Sequence, residues 1–133
     1  MEASGGSLDT YLVERLAPES ERKLQGAYNA ARDAEYEELI ERAQAVIDEL
    51  DREGAREKFT FAEVEENEAV LAKLRRWAGR IRWRDVFGAP RRAAAETALR
   101  AAQERLDIFE RIATERDSEI AERHAGEAGV DEA

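Results

Sequence analysis

Eight bases fall within twenty residues of this chain, Lys73, Arg75, Arg76, Arg80, Arg82, Arg84, Arg91 and Arg92, and only Asp85 opposes them. The stretch carries +7 and leaves −17 for the rest of a protein whose formal net charge is −10. Arg76, Arg80 and Arg84 recur every four residues, which stacks them on one face of a helix; Arg75 and Arg82 fall on others. Guanidinium groups at this density suit an oxyanion, a phosphate or an acidic partner. They equally suit a helix C-terminus, where bases complement the dipole and pair with Glu-rich neighbours. On the first account Arg76, Arg80, Arg82, Arg84, Arg91 and Arg92 are the anion- or partner-binding candidates. Trp77, Trp83 and Phe87 interleave with them, a mixture also met in single-stranded nucleic-acid binding. Trp77 falls on the apolar seam of its helix and reads as packing. Trp83 fits that seam less well, so Trp83 and Phe87 are the candidate interface residues.

Other chemistries lack their parts. The chain has no Cys, which removes thiol catalysis, thiolate metal sites and disulfides. Glu35 and Glu38 put two carboxylates on one helix face, but a di-iron bundle also wants Glu-x-x-His pairs. The single histidine, His124, has no Glu three residues before it. Ser4, Ser7, Ser20 and Ser118 lie in terminal segments or on polar faces, with no base at a useful spacing. The reading is therefore a non-enzyme with no metal and no cofactor.

The elements that position these residues follow from composition and periodicity. A chain of 133 residues fits one domain, and 39% charged with 7% aromatic residues suits long helices with a narrow buried seam. An acidic surface argues against nucleic acid and anionic membranes. No apolar run approaches the roughly 20 residues of a membrane span. The opening residues show neither the basic nor the apolar part of a secretory signal, so the expected compartment is the cytoplasm.

Residues 1–17 read as flexible or as a short helix, with a lone strand at 10–13 as the alternative, and Pro18 reads as the first turn of a new element. The first long helix is expected over 19–52, with Leu24, Tyr28, Tyr36, Leu39, Ala43, Val46 and Leu50 on its apolar face and Gly54 as its left-handed terminator. A short connection makes the next helix return antiparallel. Thr60 and Glu63 form a capping box, with Phe59 and Val64 as a hydrophobic staple, and the second helix is expected over 61–87. Val64, Leu71, Leu74, Trp77, Ala78 and Ile81 are its seam, interrupted at Asn67 or Glu68. Gly88 stops it and Pro90 opens a third helix, expected over 90–123, whose seam runs from Ala95 through Leu106 and Phe109 to Ile120. Its Ala-rich first half is expected to admit Trp77 and Trp83. Residues 124–133 read as a disordered acidic tail.

Three segments together are familiar: AYNAARDAEYEEL at 27–39, EKFTFAEVEENEAVLAKLRRW at 57–77 and GRIRWRDVFGAP at 79–90. In order and spacing they resemble the chromate-resistance regulator family ChrB, specifically the later helical half of its N-terminal region, over about residues 13–113. The run R-W-R-D-V-F-G-A-P is similar to that family's R-x-R-D-[FV]-F-G-A-P signature. The resemblance implies a chromate-responsive regulator of an efflux operon. Relatives of full length carry a DNA-contacting portion ahead of this region and often a further C-terminal domain, so the resemblance together with the net charge points away from direct DNA contact.

The expected fold is all-α, an elongated antiparallel three-helix bundle over 18–123, or a long helical hairpin with a third helix. The expected function is a non-enzymatic helical module of chromate resistance, regulatory through protein contacts and responsive to chromate. The alternative is a structural or dimerisation spacer with no ligand, its seams covered by a second copy.

Overall fold

A computed structural model describes the backbone of residues 2–132 and the side chains of residues 18–127. Three helices, α1 (Glu2–Ala55), α2 (Phe61–Arg84) and α3 (Arg92–Glu132), make up 89% of the chain, with no strand among the described residues. Each helix packs on both others, so the bundle is closed, with α1 and α3 parallel and α2 running between them in the opposite sense, as the pairings of Arg84 with Glu35 and of Arg105 with Asp51 require.

The core is the seam that the 3-and-4 spacing marks out. Tyr36, Leu39, Ala43, Val46 and Leu50 of α1, Val64, Leu71, Leu74 and Ile81 of α2, and Ala95, Ala102, Leu106, Phe109 and Ala113 of α3 are all buried. The seam is shorter than the helices. Leu24 and Ile120, expected on it, are exposed, and every residue of 18–27 and of 117–127 faces solvent. Residues 18–27 of α1 and 117–127 of α3 have no neighbouring helix to cover them.

Helix ends depart from expectation in four places. α1 runs straight through Pro18, where a new element was expected to begin. One proline removes one ladder bond and costs about 3 kcal/mol, and strong helix formers on both sides carry the helix across it. The terminator of α1 is Glu57, not Gly54: Glu57 has φ +58° and a Schellman pair closes the end, Lys58 N donating to Glu53 O at 2.9 Å and Glu57 N to Gly54 O at 3.0 Å. Gly54 serves packing instead, because a Cβ there would lie 3.2 Å from the Phe59 ring. Phe59 in turn lies against Phe109, with ring centroids 4.8 Å apart. α2 stops at Arg84, three residues early, for a reason that belongs to the site below. Finally, α3 stays helical to Glu132 through the segment expected to be disordered; its two glycines, Gly126 and Gly129, cost only about 1 kcal/mol each.

Thr60 caps α2 as expected, its Oγ1 accepting from Glu63 N at 3.3 Å. Asn67 interrupts the α2 seam yet is buried, its amide satisfied by donating to Glu63 O at 2.8 Å. Glu63 itself leans into a crowd of acids. Burial, then Glu53, Glu66 and Glu49, raise its carboxyl above the ordinary 4.5. A raised folded-state pKa means stability that is present at low pH and lost as pH rises through the raised value. Glu63→Gln keeps the shape and removes the repulsion. It is expected to raise the urea midpoint at pH 7 and to flatten its pH dependence above 4.5; an unchanged profile would count against this account.

Candidate partner-binding surface

The R-W-R-D-V-F-G-A-P run spans the end of α2 and the turn into α3. Asp85 is the residue on which it folds. Its side chain is buried and leaves the helix direction, Oδ2 accepting from the Tyr36 hydroxyl and Oδ1 from the Ala89 backbone N–H, both at 2.8 Å. The first bond ties the turn to α1 across 49 residues of sequence; the second closes the turn on itself. Gly88, at φ +72°, supplies the left-handed step that this closure needs. A third tie comes from Arg91 N, donating to Asp33 Oδ1 at 2.9 Å. Tyr36 feels the same environment: burial, then its bond to Asp85 and that residue's charge, push its hydroxyl well above the ordinary 10.0.

A turn pinned inward at Asp85 and Ala89 throws its intervening side chains outward. Val86 is 68% exposed and Phe87 44%, and Trp83, on the last turn of α2 just before the turn, is 87% exposed. Phe87 meets the Tyr28 ring edge-on at 5.6 Å, and the Arg32 guanidinium caps the Tyr28 ring at 4.8 Å. Trp83 was expected opposite the alanines of α3; it sits on the outer face of α2 instead, consistent with its poor fit to the seam. Trp77 also lies away from those alanines, beneath Arg42 of α1 at 5.6 Å. Ala78 and Gly79 of α2, together with Arg75 and Arg82, line the hollow shared with Ala95 and Leu99 of α3.

The six candidate arginines divide into two sets. Arg84 pairs with Glu35 at 2.9 Å, Arg91 with Glu37, and Arg92 with Glu96 at 3.1 Å, while Arg82 approaches Glu96 at 3.9 Å. These four act as the dipole-and-salt-bridge account describes, each exposed pair worth about 0.2–1 kcal/mol. Arg76 and Arg80 have no acidic partner among the described residues. With Lys73, Trp77, Glu38 and Arg42 they line an open groove of about 390 Å³ between α1 and α2. Arg42 is committed to Glu38 at 2.9 Å. Lys73, counted in the basic run but not among its six candidates, belongs to this groove, and so does Arg42, which the sequence reading left aside because only the helix pairing brings it beside Arg76 and Arg80.

Carboxylates are similarly sorted. Glu35 and Glu38, the spaced pair on α1, are taken up by arginines. Glu49, Glu63 and Glu66 bring carboxylate oxygens within 4.8 Å of one another, the one trio of potential ligands among the described residues. His124 stands exposed on the projecting part of α3, remote from them in sequence and on another element.

These features define a class: a helical scaffold whose one elaborated edge displays aromatic and basic side chains from a rigid turn. Comparison with known protein families matches "Protein ChrB, N-terminal" over residues 1–119. The chain belongs to that family, and the match extends beyond the 13–113 suggested by the residues alone. The family ties it to chromate resistance and to regulation. No curated protein and no solved structure gives a significant match. No helix among the described residues is long and apolar enough to cross a membrane.

Proposed function

We propose that this chain is a non-enzymatic regulatory module of chromate resistance that acts in the cytoplasm by protein contact. The contact is made through the Trp83, Val86 and Phe87 end of the bundle. The observation that carries this reading is the 87% exposure of Trp83 beside two more exposed apolar residues, on a turn that buried hydrogen bonds hold in place. An indole left in water on a rigid support gains most from docking, and such residues dominate binding energy where they occur at interfaces. The surrounding arginines, mostly neutralised within the molecule, give this patch a polar rim. The net charge of −10 favours a protein partner over direct contact with DNA.

The test is a chromate-responsive reporter in cells carrying either the native chain or the Trp83→Ser/Phe87→Ser double variant. Because Trp83 is exposed and Phe87 nearly half so, the variant is expected to keep its helicity and thermal midpoint to within a few degrees. Its chromate response is expected to fall about tenfold, the scale of losing one interface hot spot. A folded variant with unchanged regulation would overturn the proposal.

A further inference from the structure

Lys73, Arg76 and Arg80 are exposed, lie on one stripe of α2 and have no acidic partner among the described residues. The groove they line does not end with them. A second hollow, lined by Ala45 and Val46 of α1 and by Val70 and Leu74 of α2, continues it and shares Arg42 and Lys73. From Asn67 to Arg80 the trough spans about 20 Å of α2 at 1.5 Å per residue. It is a furrow between two antiparallel helices, and its shape is that of a seat for a further helix. It is basic at one end, where Glu38 is taken up by Arg42, and mainly apolar at the other, where Glu49 and Asn67 also line it.

One segment of the same chain has the complementary chemistry. Beyond its last buried turn α3 continues as a helix whose residues 117–127 are all exposed. Four acids and one arginine give that stretch a net charge of −3. Glu119 and Glu122 within it, and Glu115 just before it, stand on one face of α3, exposed and without a basic partner among the described residues. Residues 18–27 of α1, also exposed, are no rival, because Glu19 and Glu21 are balanced there by Arg22 and Lys23.

The spacings decide the direction. Along α2 the bases advance by three and then four residues, from Lys73 to Arg76 to Arg80. Along α3 the acids, read backwards, also step by three and then four, from Glu122 to Glu119 to Glu115. Antiparallel helices bring these stripes into register, Lys73 to Glu122, Arg76 to Glu119 and Arg80 to Glu115; parallel helices put the middle pair out of step. Within one molecule the α3 extension leaves the bundle at the far end from the basic stripe, so the partner is a second molecule. We infer that the α3 extension of a second copy of this chain docks antiparallel in the basic α1–α2 groove. This contact uses different residues from the Trp83 surface.

The experiment is sedimentation of the full chain and of two charge-reversed variants, Arg76→Glu/Arg80→Glu and Glu115→Arg/Glu119→Arg. The native chain is expected to associate in a concentration-dependent way at low salt and to dissociate near 1 M salt, where screening acts over about 3 Å. Either variant alone should bind itself at least about tenfold more weakly, with unchanged helicity since all four positions are exposed. Mixed together, the two variants restore opposite charges at every reversed position and should associate as a heteromer. A native chain that stays monomeric at all concentrations overturns the inference. So does association that the reversals leave intact, or a mixture that fails to recover it. The second variant lies on the projecting helix, so a folding defect in the groove variant would still leave a decisive comparison.

Discussion

Asp85→Ala is expected to lower the stability of the bundle by about 2–4 kcal/mol, the largest loss from any single side chain outside the apolar core. The carboxylate is buried and receives two donors, the Tyr36 hydroxyl and the Ala89 N–H. Removing it strands both in a site closed to water, and each unsatisfied buried group costs about 1–3 kcal/mol. Urea unfolding followed by helicity measures the shift. Tyr36→Phe should cost less, about 1 kcal/mol, because only one bond is lost and the ring stays packed. The two variants differ in their alkaline behaviour. Tyr36 keeps its proton in the folded chain to a higher pH than in the unfolded chain. Above pH 10 the unfolded state therefore loses that proton first, and native stability falls with rising pH. In Tyr36→Phe that part of the alkaline decline should be missing. A loss below about 1 kcal/mol in Asp85→Ala would show that the turn is held by something other than this carboxylate.

The importance of Asp85 was only half legible in sequence. Its place in a run that resembles the ChrB signature is visible, and so are the Gly and Pro that end a helix nearby. What cannot be read from spacing is that an aspartate, ordinarily a surface residue, turns inward to meet a tyrosine 49 residues away. Tyr36 was legible as a core residue by periodicity, but its hydroxyl needed a buried acceptor that only the tertiary fold supplies. The same distinction runs through the helices. The buried part of each seam is where the apolar period is strongest, whereas helix boundaries at Pro18, Gly54 and residue 124 followed local breakers that the surrounding helix formers outweighed. Local propensity set the expectation at those three points and context decided the outcome.

The basic run shows how much sequence left open at the candidate site. Its charge density supported two accounts, an anion or partner site and internal neutralisation, and the fold neutralises some of the residues and leaves others without an acidic partner among the described residues. Arg82, Arg84, Arg91 and Arg92 lie where α1 and α3 present Glu35, Glu37 and Glu96, while Arg76 and Arg80 face a furrow that holds Lys73 and Trp77. No rule of spacing along α2 could have made that division, because it depends on which helix lies opposite. The exposure of Trp83 was more legible. Trp83 broke the seam's period, and a tryptophan off the seam of an amphipathic helix has few destinations other than solvent or a partner.

Ala102→Leu is expected to destabilise the bundle by about 1–3 kcal/mol and to broaden its unfolding transition. Four alanines, Ala43, Ala95, Ala102 and Ala113, are buried to 2% exposure or less on α1 and α3. Small residues at such positions let two parallel helices approach closely, so the extra atoms of a leucine have no cavity to enter. The helices must separate locally, and separation propagates to the Asp85 turn because that turn is attached to α1 at Tyr36 and to α3 through Arg92, whose N–H donates to Ala89 O at 3.2 Å. The cost should therefore appear in two readouts at once: a lowered urea midpoint and increased hydrogen exchange of the Ala89 amide, whose acceptor is the Asp85 carboxylate. Leu106→Ala removes volume from the same helix and is expected to cost about 2–5 kcal/mol without opening the turn. A leucine at 102 tolerated with no loss would mean that the α1–α3 seam has room to spare, and that the alanines are there for helix propensity and not for close packing.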